Sequence, residues 1–146
     1  MASYEQVDVL LVEDNPRDEE MTLRAFRKSR MANNVWVVRD GEEALDFFFR
    51  RGAYEHRGVE EPRLVLLDLK LPKVDGLEVL RELKSSRDLR TVPVVVLTSS
   101  RQEQDMVESY ALGVNSYIVK PVSFDKFFEA VTQIEMYWLL VNEVPK

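Results

Sequence analysis

The sequence predicts an α/β domain: one parallel sheet covered by helices on both faces. Two observations predict it. Five short apolar runs, Val7–Val12, Asn34–Val38, Leu64–Leu67, Val92–Leu97 and Ser116–Val119, alternate with helix-like stretches along the chain. Four of them are continuous in Val, Leu and Ile rather than alternating in polarity, as expected of strands buried on both sides. That order implies right-handed crossovers between parallel strands.

The first run ends in Glu13-Asp14, and Asn15-Pro16 then supplies a capping amide and a proline at the first helical position. Asp18, Glu19 and Glu20 follow where the helix dipole favours acids. Asp40 caps a second helix carrying Ala44, Leu45 and Phe48. The segment from Arg51 to Pro62 is a loop of about a dozen residues, long for such a unit, and reads equally as an interaction surface or a tolerated insertion. A third helix runs from Leu77 to Ser85 with Leu77, Leu80 and Leu83 inward. The fourth carries Met106, Val107, Tyr110 and Ala111, and Gly113 is placed to end it.

Ser123 opens a fifth helix whose Phe127, Val131, Ile134, Trp138 and Val141 form one apolar stripe. Extended to Asn142, it would be about 30 Å long against about 17–20 Å for a strand, so its last turns should project past the sheet. Those turns hold Tyr137, Trp138, Leu140 and Val141 beside Met136 and Leu139, more apolar groups than one buried stripe needs. An association surface is expected there.

At 146 residues the chain is expected to form a single domain, 1–146. A 45% apolar and 32% charged composition is that of an ordinary globular protein. The apolar runs fall far short of the roughly 20 residues needed to span a bilayer, and the amino terminus lacks a secretory pattern. A cytoplasmic protein without a membrane partner is expected. The absence of cysteine excludes disulfides and thiolate chemistry, and a net charge of −6 argues against a nucleic-acid surface. The chain stops soon after the fifth helix, so output is expected through protein contacts rather than an attached domain.

The residues that follow the apolar runs are Glu13-Asp14, Arg39-Asp40, Asp68, Thr98 and Lys120. In open parallel sheets the functional crevice lies beyond these carboxyl ends. Two like charges about 5 Å apart at an effective dielectric of about 20 repel by roughly 3 kcal/mol, so gathering Glu13, Asp14 and Asp68 calls for a cation. Mg²⁺ suits a site of few carboxylates completed by phosphate oxygens, and no histidine cluster points to zinc. Asp68, alone at the end of a middle strand, can attack phosphorus to form an acyl phosphate. Lys120 and the metal would stabilise the phosphoryl oxygens and Thr98 would donate a hydroxyl. Singly, each has a plainer reading as a cap or strand-end residue, the reading adopted for Asp40. Capping alone does not account for the set at one rim.

Val-Glu-Asp-Asn (12–15), Leu-Leu-Asp-Leu-Lys-Leu-Pro-Lys-Val-Asp-Gly (66–76), Val-Leu-Thr-Ser-Ser (96–100) and Tyr-Ile-Val-Lys-Pro (117–121) together resemble the receiver domain of two-component response regulators. The likeness spans nearly the whole chain. It implies a doubly wound, flavodoxin-like sheet in the order 2-1-3-4-5. It implies Asp68 as phosphoacceptor, with Glu13, Asp14, Asp68 and the Lys70 carbonyl as Mg²⁺ ligands. Thr98 and Lys120 would contact the phosphoryl group, and the Lys120–Pro121 bond would be cis. Tyr117 falls at the switch aromatic, turning inward as Thr98 is drawn to the phosphate.

Ser99 stands where many receivers have alanine, and Lys70 and Ser100 occupy positions that tune acyl-phosphate loss in the family. The Glu-Asp-Asn-Pro opening, the long loop and the Trp-bearing tail are similar to single-domain regulators that partner phytochrome-type histidine kinases. The expectation is a phosphorylation switch that turns over no external substrate. It would dimerise through the fourth helix, fifth strand, fifth helix and tail, with kinase docking as the competing use of that surface. A phosphate shuttle or sink in a relay uses the same chemistry. An Asp-nucleophile phosphohydrolase would commonly carry a second Asp two residues after the nucleophile, where Lys70 stands.

Overall fold

The computed structural model describes residues 7–29, 34–58 and 60–133. Its strands are β1 (Val9–Val12), β2 (Val35–Val38), β3 (Leu64–Asp68), β4 (Val94–Thr98) and β5 (Ser116–Val119). Between and after them come α1 (Pro16–Ser29), α2 (Gly41–Phe49), α3 (Gly76–Ser85), α4 (Arg101–Glu108) and α5 (Phe124–Gln133). All strands pair in parallel in the order β2-β1-β3-β4-β5, as the resemblance implies. Among the described residues no helix is long and apolar enough to cross a membrane.

Continuous apolar strands bury both faces, and side-chain alternation sorts them into two cores. Val9, Leu11, Leu64, Leu66, Val95, Leu97 and Ile118 pack under α1 and α5 with Phe26 and Phe127, whose rings meet edge-on at 4.4 Å. Leu10, Val12, Val65, Leu67, Val94 and Val96 pack on the other face with Phe47, Phe48, Leu80, Leu83 and Val107. Asn15 caps α1 through the amides of Arg17 (2.8 Å) and Asp18 (3.1 Å). Asp40, Asp75 and Ser100 accept from the amides three residues on and cap α2, α3 and α4.

Expectations change for α4 and α3. Tyr110 and Ala111 lie beyond α4, which stops at Glu108; the chain turns at Ser109, and Ala111 takes a left-handed φ of 51° before Gly113 does so at 75°. Of the four residues placed on that helix only Val107 is buried, while Met106 and Tyr110 are exposed. On α3, Val79 joins Leu80 and Leu83 in the core, and Leu77 is only half-buried. The fifth-helix residues Ile134, Tyr137, Trp138, Leu140 and Val141 lie outside the described residues.

Two glycines allow close backbone contacts. A Cβ on Gly41 would fall 1.7 Å from the Val74 carbonyl oxygen, and one on Gly76 would fall 2.2 Å from that of Asp68. Helix α3 therefore starts directly against the loop that leaves β3.

The long loop is tied down by Arg57, which is 4% exposed. Its guanidinium donates to the carbonyls of Phe47 (2.8 Å), Phe48 (3.4 Å) and Glu60 (2.9 Å), pairs with Glu61 at 3.0 Å, and lies over the Phe47 ring at 4.2 Å. Helix α2 has no basic residue in its last turn, so Arg57 supplies the missing donors from outside. Removing it strands buried carbonyls. Arg57→Ala is expected to lower the unfolding free energy by about 2–3 kcal/mol in a urea titration, whereas His56→Ala, at an exposed neighbour, shifts it by less than about 0.5 kcal/mol.

Candidate functional site

Pairing of β1 with β3 sets Val12 beside Leu67, so the residues that follow, Glu13-Asp14 and Asp68, meet at the carboxyl rim. One carboxylate oxygen from each of Glu13, Asp14 and Asp68 lies within 4.8 Å of the others. Glu13 and Asp68 are buried and Asp14 is exposed. β5 is separated from β3 by β4, and Lys120 extends its ammonium across the end of β4 to reach the acids. Its Nζ lies 2.8 Å from Asp68 Oδ2, 3.0 Å from Asp18 Oδ2, and 3.0 and 3.3 Å from the two Glu13 oxygens. The closer Glu13 oxygen, Oε1, is out of line for a hydrogen bond and has no other partner.

Alternation explains the convergence. Residues 9, 11 and 13, then 64, 66 and 68, then 118 and 120 fall on the sheet face covered by α1 and α5. Asp18, in the first turn of α1, is on that side too. Thr98 follows Val94 and Val96 onto the opposite face, where Tyr117 pairs in register with Val96 and packs half-buried against the core. The Thr98 hydroxyl is fully buried and has no hydrogen-bond partner. Burial, followed by the charge of Glu108, raises the Tyr117 phenol above its ordinary pKa.

Burial pushes the Glu13 carboxyl up to about 8, reinforced by the neighbouring Asp68 carboxylate, against the weaker pull of Lys120. Burial alone would lower the Lys120 pKa, but the hydrogen bond it donates to Asp68 and the charge there, then its bonds to Asp18 and Glu13, hold it above the ordinary lysine value. The donor set of hard carboxylate oxygens, with one buried oxygen lacking a hydrogen bond, fits a divalent cation such as Mg²⁺.

The Lys70 amide donates to Asp68 Oδ1 at 3.1 Å, and its ammonium pairs with Glu103 at 3.4 Å. Glu103 also accepts from the Ser99 amide (2.9 Å) and hydroxyl (2.8 Å), joining the loops after β3 and β4. A groove of about 510 Å³ lined by Asp14, Lys70, Pro72, Glu103 and Met106, among others, opens beside the acids. Lys120–Pro121 is cis. Glu13, Asp14, Asp68 and Lys120 are thus brought together, Thr98 stands at the end of the strand between Asp68 and Lys120, and Asp40 is a cap. Sequence reasoning missed Asp18, read only as a dipole-favoured acid, and Glu103. The shared strand parity and the helix above it carried the signal for Asp18.

The family model for the response regulator receiver domain matches residues 9–132. Among curated proteins, the chain is 44% identical to the probable methanogenesis regulatory protein FilR2 of Methanothrix harundinacea, over 94% of this chain and 86% of that one. It is 41% identical to the response regulator Rcp1 of Synechocystis sp., over 94% and 92%. Among solved structures, the bacteriophytochrome response regulator AtBRR is 57% identical with a TM-score of 0.86, covering 95% of this chain and 99% of that one. The bacteriophytochrome response regulator RtBRR is 51% identical with a TM-score of 0.89, covering 96% and 84%. The Mn²⁺-bound form of Rcp1 is 40% identical with a TM-score of 0.73, covering 94% and 98%.

The raised Glu13 pKa fixes a sign. Without metal, the folded chain keeps this proton up to about pH 8, and the unfolded chain only to the ordinary 4.5. Between those values the folded state binds more protons, so its stability is greatest below the lower value and falls as pH rises toward the upper one. In chelator, urea midpoints are expected to decline from about pH 5 to pH 8, and Glu13→Gln should flatten most of that decline.

Proposed function

Because the chain belongs to the response regulator receiver family, we propose that it takes a phosphoryl group from a histidine kinase onto Asp68 and switches its protein contacts in response. The observation that carries this reading is the convergence of Asp68, two further acids and one lysine at a single rim. Glu13, Asp14, Asp68 and the Lys70 carbonyl would hold Mg²⁺, which would supply positive charge to the phosphoryl oxygens.

The chain's own groups do the rest. An Asp68 oxygen forms the O–P bond as the P–N bond to the donor imidazole breaks, and that nitrogen keeps the electron pair and takes up a proton. Asp68 enters the reaction held by Lys120 on one oxygen and by the Lys70 amide on the other. Lys120 then turns its ammonium to a phosphoryl oxygen, and the Thr98 hydroxyl, unpartnered in this state, donates to another. Movement of Thr98 frees space on its own face of the sheet, and Tyr117 turns inward, altering the surface of α4, β5 and α5. The acyl phosphate forms and hydrolyses on the chain itself, with no external substrate turned over. Lys70, in place of a second acid, speaks against a phosphohydrolase.

Similarity to the bacteriophytochrome regulators supports a phytochrome-type kinase as the donor, acting in the cytoplasm. Exposure of Met106 and Tyr110 around the end of α4 supports a homodimer through α4, β5 and α5. The tail residues Tyr137, Trp138, Leu140 and Val141 would extend that surface.

Incubation with acetyl phosphate and Mg²⁺ is expected to add the mass of one phosphoryl group to the wild type and none to Asp68→Asn. Equal gain in both would overturn the assignment of Asp68. Thr98→Ala should still be labelled, but about tenfold more slowly. Sedimentation of Trp138→Ala is expected to show a shift from dimer to monomer at concentrations where the wild type stays paired.

A further inference from the structure

We propose that Asp18 is a positioning residue, the anchor that keeps Lys120 at the rim while its other two partners are taken by the chemistry. The inference rests on the reading of Asp68 as phosphoacceptor. An ammonium has three N–H donors, and Lys120 turns them toward three carboxylates, those of Asp68, Asp18 and Glu13. Two of these change role during the reaction. Glu13 and Asp68 belong to the acid set that fits a divalent cation, and Asp68 gives up part of its negative charge on becoming an acyl phosphate. Asp18 lies outside that set.

Asp18 is also held in place. Its amide donates to the Asn15 side chain at 3.1 Å, and its carbonyl accepts from the buried Thr22 hydroxyl at 2.9 Å. The pair is sheltered, with the Lys120 and Asp18 side chains only 18% and 25% exposed, so solvent screens it less than a surface contact. Lysine carries its charge on a flexible four-carbon stem, and one fixed acceptor limits where that stem can go. With one N–H kept by Asp18, two remain to meet phosphoryl oxygens. Asp18 also draws the ammonium partly off Glu13 and Asp68, so it competes less with an incoming metal ion.

A double-mutant cycle tests this with wild type, Asp18→Asn, Lys120→Ala and the double variant. The readouts are Mg²⁺ affinity by titration calorimetry without phosphodonor, and the rate of mass gain with acetyl phosphate at saturating Mg²⁺. Asp18→Asn is expected to slow labelling about tenfold when Lys120 is present and less than about twofold when it is absent. It should weaken Mg²⁺ about threefold more in the Lys120 background than in the alanine one. Asp18→Glu, which keeps the carboxylate, should recover most of both losses. Equal effects in the two backgrounds would show a simple charge or helix-end role and overturn the proposal, as would an unchanged Asp18→Asn. If the wild type gains no mass, the phosphoacceptor reading fails, and the calorimetric coupling still decides whether Asp18 acts through Lys120.

Discussion

Crowding of like charge at one edge of the sheet is the constraint on which the site depends. Carboxylates do not gather unaided; they are forced together because β1 and β3 pair in one register and bury every side chain of Val9–Val12 and Leu64–Leu67. The apolar core thus supplies the free energy that holds Glu13, Asp14 and Asp68 within 4.8 Å. A single ammonium, reaching over β4 from β5, is the counterion among the described residues that touches both Glu13 and Asp68. Burial of Glu13 favours its protonated form. A metal ion taken up by these oxygens would release that proton.

Much of this was legible in the sequence, and the limits have physical causes. Continuous Val and Leu runs announce doubly buried strands, and caps such as Asn15 and Asp40 announce helix starts, because each signal is local. The acids and Lys120 were visible as strand-end residues, whereas the strand order came from family likeness, since spacing does not say which strand lies beside which. The end of α4 was misread because Tyr110 and Ala111 continue an apolar pattern after the backbone has turned at Ser109. Arg57 was not recognised because an arginine in a polar loop reads as solvated, and its acceptors, the last carbonyls of α2, are a property of the fold. Asp18 was half-seen: its favourable place on the dipole was read, but not its contact with a residue 102 positions away.

The parity of the strands divides labour across the sheet. Glu13, Asp68 and Lys120 face α1 and α5, while Thr98 and Tyr117 face the side of α2, α3 and α4. Thr98 stands where the two sides meet. It shares a strand with the core under α4, and its carbonyl accepts the Lys120 amide at 2.8 Å. Its hydroxyl is buried without a hydrogen-bond partner, an unmet demand in the structure.

The bare backbone of Gly76 against the Asp68 carbonyl has a further consequence for anyone re-engineering this scaffold. Any change to α3 must leave the first residue of that helix without a side chain. A reporter group installed near the start of α3 would sit directly beside the loop that leaves β3.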